Sequence, residues 1–178
     1  MSSTNHDTYT DSYISGILAN TRTIAMIGAS ANTNRPSYFA LKYLLGKGFI
    51  VHPVNPRMAG QTLLGQTVYA TLADVPVPVD MVEIFRGSDA ALEIVRDAIF
   101  RKDELKIKTI WMQLSVRNDL AAEEAEAAGL EVVMNRCPKI EYGRLCGEIG
   151  WLGVYSGVIS SSKPLLAPTG VQSLMLQR

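Results

Sequence analysis

Five short apolar segments, separated by stretches of helical periodicity, are the feature that most constrains how this chain folds. The segment 23–28 is almost uninterrupted by polar residues and ends in a glycine. Strands of a parallel sheet have this character because helices cover both of their faces. The segments predicted to be strands are 23–28, 49–54, 80–85, 107–113 and 130–134.

Helices are predicted in the intervals between these strands. Apolar residues recur there at helical spacing, Ser88 and Asn118 are suited to N-caps, and Gly129 is suited to ending a helix. The alternation favours an α/β fold, a Rossmann-like open parallel five-stranded sheet with helices on both faces and right-handed crossovers. The segments predicted to be helices are 8–20, 37–47, 89–101, 119–128 and 138–148.

Length and composition indicate one folded unit followed by an extension. The chain has 178 residues, of which 47% are hydrophobic, enough for one domain with a substantial core. We expect residues 1–148 to form this domain. The segment 149–178 is rich in Gly, Ser and Leu, and we predict that this C-terminal extension packs on the domain or trails from it.

Charge and composition argue against several classes of function. The formal net charge is zero and the basic residues are scattered, so no nucleic-acid partner is predicted. Cys137 and Cys146 are too far apart for a CxxC pair, and the histidines His6 and His52 are not near them, so no metal site is predicted. We find no targeting pattern and no apolar run of membrane-spanning length, which predicts a cytoplasmic protein without a membrane partner.

A ligand of such a sheet is expected beyond the carboxyl ends of its strands. After the first strand, Gly28 permits a tight turn, Ser30 offers a hydroxyl, and Arg35 precedes a helix, a combination suited to phosphate. The alternative is that this loop forms only a turn. Glycine is absent from positions 30 and 33, and the segment 52–57 has no carboxylate to bind a ribose, so both features argue against an ordinary NAD site. An NAD(P)-dependent Rossmann oxidoreductase is nevertheless the alternative function.

Six strand-end segments resemble the small stand-alone CoA-binding proteins, which are similar to the CoA-binding domain of the succinyl-CoA synthetase alpha subunit. The resemblance covers about residues 17–145, and the motifs occur in the same order on the strand ends. The segments are IGAS (27–30), RPS (35–37), VNP (54–56), IFR (84–86), WMQL (111–114) and MNRCP (134–138), the last followed by KIE (139–141).

The resemblance implies that the chain binds coenzyme A or an acyl-CoA. In the family the first loop cradles phosphates, here through Ser30 and Arg35, the loop 54–57 meets the adenosine end, and the end of the third strand lines the groove. The expected cofactor-binding residues are Gly28, Ala29, Ser30, Arg35, Pro36, Ser37, Val54, Asn55, Pro56, Arg57, Phe85, Arg86, Gln113 and Cys137.

Catalysis is not predicted from these motifs. The synthetase works through a phosphorylated histidine in a further domain, and neither His6 nor His52 lies in a matching motif. Asn135 stands where the family usually carries Asp, which argues against an acid–base role there. The resemblance therefore implies a carrier, sensor or regulatory module without ligase activity of its own, and the protein partner stays open.

Two features near the last predicted helix carry alternatives. Cys137 would meet the CoA thiol in a mixed disulfide, with Arg136 favouring the thiolate, or it is a small buried hydrophobic residue. Lys139 and Glu141 form an acid–base pair near the groove or lie on an exposed helix face.

Overall fold

The computed structural model describes residues 4–145, so Cys146 and the extension 149–178 lie outside the described residues. Within that range strands and helices alternate as the sequence predicts. In chain order the strands are β1 (Thr23–Ile27), β2 (Ile50–Val54), β3 (Thr62–Leu63), β4 (Gln66–Thr67), β5 (Met81–Ile84), β6 (Thr109–Met112) and β7 (Glu131–Val133). The helices are α1 (Asp11–Asn20), α2 (Pro36–Gly46), α3 (Ser88–Leu105), α4 (Asp119–Ala127) and α5 (Pro138–Leu145).

Five of these strands form one parallel sheet, which confirms the predicted fold class. Their order is β2-β1-β5-β6-β7, so β1 pairs with the strand that follows it on one side and with β5 on the other. This is the doubly wound order whose reversal point lies beside the first strand. The short antiparallel hairpin of β3 and β4 lies in a segment where no strand was predicted.

Two apolar layers cover the sheet, and each has its own set of helices. On one face, buried residues of α1 and α2 pack against Met26, Met81 and Trp111 of the strands. On the other face, buried residues of α3 and α4 pack against Val82, Ile84 and neighbouring strand residues. Both faces are therefore dry, which explains the nearly continuous apolar sequence of the strands.

The helix ends confirm one predicted cap and correct another. The Asn118 side chain accepts a hydrogen bond from the backbone N–H of Ala121, as expected for the cap of α4. The prediction for Ser88 is wrong, because Gly87 is the N-cap of α3 and Ser88 is its first residue. The Ser88 hydroxyl instead accepts the backbone N–H of Arg117, so this side chain ties α3 to the loop after β6.

Two tyrosines from the N-terminal segment protect the edge strand β7. The Tyr13 hydroxyl donates to the Val132 carbonyl and accepts from the Val132 N–H, both at 3.2 Å. The Tyr9 hydroxyl accepts from the backbone N–H of Met134 at 2.7 Å. These bonds satisfy backbone groups that would otherwise be open to pairing with another chain. Burial raises the pKa of Tyr13 to about 12, so its hydroxyl stays protonated and able to donate.

No helix between residues 4 and 145 is both long and apolar enough to cross a membrane.

We expect Tyr13→Phe to lower the free energy of unfolding by about 1–2 kcal/mol, because both bonds to Val132 are lost while the ring packing is kept. Tyr38→Phe is the matched control, since the Tyr38 hydroxyl has no hydrogen-bond partner among the described residues. Urea denaturation of the two variants tests this. Equal stabilities would show that the hydroxyl does not stabilise the edge.

Candidate functional site

A cleft of about 710 Å³ opens at the carboxyl edge of the sheet, where the strand order reverses between β1 and β5. The loops after β1, β5 and β6 form its walls, together with the first turns of α2 and α5. The volume lies within the range of about 300–1,000 Å³ that is typical of small-molecule sites.

Most of the residues predicted to bind a cofactor line this cleft. They come from four separate parts of the chain that only the sheet brings together. The lining members of the predicted set are Gly28, Ser30, Arg35, Pro36, Ser37, Phe85, Arg86, Gln113 and Cys137. The predicted residues outside the lining are Ala29, Val54, Asn55, Pro56 and Arg57.

Asn55 explains why the segment after β2 supports the cleft from outside. Its side-chain amide donates to the Ala29 carbonyl at 2.8 Å and its oxygen accepts from the backbone N–H of Arg57 at 3.0 Å. Ala29 and Val54 are buried, whereas Pro56 and Arg57 are exposed. Asn55 therefore fixes the loop after β1, and Arg57 reaches solvent beside it.

Gly28 allows the loop after β1 to pass close to the loop after β5. Its φ is +90°, a backbone conformation that side chains disfavour. A Cβ atom at this position would lie 2.8 Å from the Phe85 carbonyl oxygen and 3.0 Å from Cδ of Arg86. Glycine is therefore required here both by its conformation and by the close approach of the two loops.

The walls of the cleft are positive. Arg35, Arg86 and Lys139 line it, and the described lining contains no Asp or Glu. Arg35 is also the N-cap of α2 and gives this helix no side-chain cap. Pro36 has no N–H and the Tyr38 N–H donates to the Arg35 carbonyl, so Ser37 supplies the first-turn backbone N–H that has no backbone partner among the described residues. Such a helix end favours an anion. The Ser30 hydroxyl accepts the backbone N–H of Asn32, so it shapes the turn while it lines the cleft.

Lys139 lines the cleft, although it was not among the expected cofactor-binding residues. It is 8% exposed, and its Nζ lies 6.0 Å from the centre of the Phe39 ring. The prediction of an exposed helix face is wrong here, because Glu141 is buried as well. Glu141 binds Arg144 at 2.7 Å, and no ion pair between Lys139 and Glu141 occurs among the described residues. Ser115, like Gln113 a ligand candidate at the end of a predicted strand, also lines the cleft. The other lining residues outside the expected cofactor-binding set are Asn34, Phe39, Ala40, Leu114, Val116 and Ile140.

A buried acid lies directly behind the cleft wall. Glu83 of β5 is fully buried, and its Oε1 accepts a hydrogen bond from Nε2 of Gln113 at 2.6 Å. Burial raises the pKa of Glu83 to about 8. Sequence reasoning missed this residue, although a single carboxylate inside an otherwise apolar strand was a visible signal.

Cys137 lines the cleft as a neutral thiol. It is 8% exposed, and burial raises the pKa of the thiol, with Glu83 raising it further. The prediction that Arg136 favours the thiolate is therefore wrong, because loss of solvent and a nearby acid dominate. The Cys137 Sγ lies 3.6 Å from Nε2 of Gln113.

Asn135 has a structural role in the loop after β7. Its side-chain oxygen accepts the backbone N–H of Ser115 at 2.8 Å, and both residues have positive φ. This bond joins the loops after β6 and β7.

In the part of the chain described, no three His, Cys, Asp or Glu side chains lie close enough to hold a metal ion.

Comparison with known proteins identifies a matching family model and a related bacterial protein. A family model described as "CoA binding domain" matches residues 22–143. An uncharacterized protein of Bacillus subtilis, YneT, is 26% identical over 129 residues, which cover 72% of this chain and 91% of that protein.

Solved structures share the fold over most of the described chain. A hypothetical protein from Pyrococcus horikoshii is 35% identical with a TM-score of 0.72, covering 83% of this chain and 100% of that one. The dinucleotide-forming acetyl-coenzyme A synthetase 1 of Candidatus Korarchaeum cryptofilum, solved with phosphate and ADP, is 28% identical with a TM-score of 0.54. That match covers 66% of this chain and 26% of the synthetase.

We expect Gly28→Ala to destabilise the fold more than Gly48→Ala, by about 1–3 kcal/mol, because only the first substitution forces atoms together. Gly48 is the matched control, since its φ is +87° and an added Cβ would meet open space. Thermal and urea unfolding of both variants measure the difference. Equal losses would mean that backbone conformation alone demands glycine at position 28.

Proposed function

Because the chain belongs to the CoA-binding domain family, we propose that it binds coenzyme A or an acyl-CoA in the cleft between β1 and β5. The proposed role is that of a stand-alone carrier, sensor or regulatory module without ligase activity of its own. The match to the acetyl-coenzyme A synthetase covers 26% of that chain, so the activity of the whole synthetase is not transferred to this protein.

The charge of the cleft is the observation that carries this proposal. Coenzyme A is strongly anionic at its phosphates and uncharged along its pantetheine arm. Arg35 and Arg86 line the cleft beside the first turn of α2, which has no side-chain cap, with no acidic residue in the described lining. Guanidinium groups and backbone N–H groups at a helix start are the donors that phosphate prefers.

The remaining parts of the cleft suit the rest of the ligand. Gln113, Val116 and Ile140 form an uncharged wall together with Cys137, and we assign the pantetheine arm to this wall. The exposed Arg57 follows β2 at the outer side of the loop after β1, and we assign it to the adenosine end of the ligand.

A thermal-shift panel tests the proposed function. We expect coenzyme A and acetyl-CoA to raise the melting temperature more than NAD, NADP or ATP at equal concentrations, because a ligand that binds only the native state stabilises it. A larger shift with coenzyme A than with dephospho-CoA, lost in Arg57→Ala, supports the adenosine assignment. A selective shift with NAD or NADP would overturn the proposal in favour of an oxidoreductase.

Arg35→Ala is expected to weaken coenzyme A binding by about 1–3 kcal/mol, the usual scale for a charge-assisted hydrogen bond. Arg22→Ala removes the same charge from an exposed position before β1, at the opposite edge of the sheet, and serves as the matched control. Calorimetry on both folded variants measures the affinities. Equal affinities in the two variants would rule out a phosphate contact by Arg35.

A further inference from the structure

Glu83 lies in the middle of the sheet, where a carboxylate is costly. Its register partners are Met26 on β1 and Trp111 on β6, and its side chain is 0% exposed. In a parallel sheet these partners point to the same face, which is the face covered by α1, α2 and α5. Ionising an acid in such surroundings is strongly opposed by the loss of water.

The two carboxyl oxygens of Glu83 have different environments. Oε1 accepts the hydrogen bond from Gln113 at 2.6 Å. Oε2 is buried and has no hydrogen-bond partner among residues 4–145. If Glu83 were ionised, its buried negative charge would be stabilised by the single hydrogen bond from Gln113. If Glu83 is protonated, the side chain is neutral and only the hydroxyl at Oε2 lacks a hydrogen-bond partner among the described residues. The geometry therefore favours the protonated acid, in agreement with the pKa of about 8 that burial gives Glu83.

Gln113 connects this acid to the cleft. Its Nε2 donates to Glu83 and lies 3.6 Å from Sγ of Cys137, and its Oε1 accepts the backbone N–H of Leu114 at 3.2 Å. Both Gln113 and Cys137 line the cleft. The orientation of the Gln113 amide is thus fixed from behind by Glu83, and one hydrogen bond joins the acid to a residue that lines the cleft.

The groups around Glu83 offer few competing charges. The titratable Cys137, which directly precedes α5, faces it, and α5 carries the buried Lys139 and the buried Glu141, the second of which pairs with Arg144. The buried residues that β1, β6, α1 and α2 contribute to this face include Met26, Trp111, Ile14, Ile17, Ala40, Leu41 and Leu44. The phenol side chains packed against the same layer are those of Tyr9, Tyr13, Tyr38, Tyr43 and Tyr142.

We propose that Glu83 is a positioning residue that couples ligand binding to protonation. As a neutral acid it holds Gln113 in place and keeps the wall of the cleft uncharged. As a carboxylate it places a negative charge behind that wall and opposes an anionic ligand. This inference rests on the proposed function, which supplies the anionic ligand, and on the burial of Glu83 behind Gln113.

Coupling of this kind is reciprocal. If loss of the proton weakens binding, then binding of the anionic ligand must raise the proton affinity of Glu83. Near the pKa of Glu83, part of the protein is ionised, so binding takes up a fraction of a proton from the buffer. The affinity is highest below the pKa and falls as the pH rises through it.

Calorimetry of the full chain with acetyl-CoA tests this inference, since acetyl-CoA has no free thiol to titrate. Between about pH 7 and about pH 9, wild-type affinity is expected to fall about tenfold, the scale of a buried charge acting on an anion nearby. Glu83→Gln keeps the acceptor for Gln113 and cannot ionise, so its affinity should not change over this range. Cys137→Ser should keep the wild-type pH dependence, which assigns the titration to Glu83.

Proton uptake provides a readout that needs no variant. Titrations of wild type at about pH 8 in two buffers of different ionisation enthalpy should show uptake of a fraction of a proton. Binding with no uptake and equal affinity at both pH values would overturn the role of Glu83 while leaving coenzyme A binding intact. Absence of acetyl-CoA binding at about pH 7 would overturn the proposed function and this coupling together.

Stability supplies an independent check on the folded variant. Because the pKa of Glu83 is raised from about 4.5 to about 8, the stability due to its proton is complete below the lower value and lost as pH rises through the higher one. Urea denaturation of Glu83→Gln should lack this decline. A decline identical to wild type would show that another group titrates.

Discussion

The pairing of β1 with β2 on one side and β5 on the other is the constraint on which the rest of the structure depends. It places the reversal of strand order beside β1 and sends α2 to one face of the sheet and α3 to the other. The loops after β1 and β5 then leave the same edge side by side. Gly28 allows them to approach closely, and the cleft opens between the helices that diverge from this point.

The cleft combines charges that face solvent with groups that are kept neutral. Arg35 and Arg86 are exposed at its rim, where hydration stabilises their positive charges. Gln113, Cys137 and Glu83 lie deeper, and burial there raises the pKa of both the thiol and the acid. The same desolvation that opposes ionisation strengthens the hydrogen bond between Glu83 and Gln113. The cleft thus offers phosphate donors at its mouth and, deeper, the uncharged Gln113 and Cys137 together with the buried Lys139.

Much of the fold followed from local patterns. Apolar runs ending in turn residues located all five strands of the main sheet, because burial on both faces leaves a continuous signature. The hairpin of β3 and β4 was missed since each strand has two residues, too few for periodicity. Ser88 was assigned as a cap because its residue type suits that position, but its hydroxyl bonds the backbone of Arg117 instead. The contact of Asn55 with a ligand stays a prediction, and in the structure its side-chain amide donates to the Ala29 carbonyl.

The sequence by itself determined the strands, the order of the loops that follow them, and the resemblance to a family of CoA-binding proteins. These properties are local, since each depends on a few consecutive residues and their burial. Tertiary structure alone decided that Lys139 lines the cleft, that Cys137 is a neutral thiol, and that Glu83 stands behind Gln113. Such properties depend on which distant segments exclude water from a side chain, and in this sheet strands far apart in sequence become neighbours.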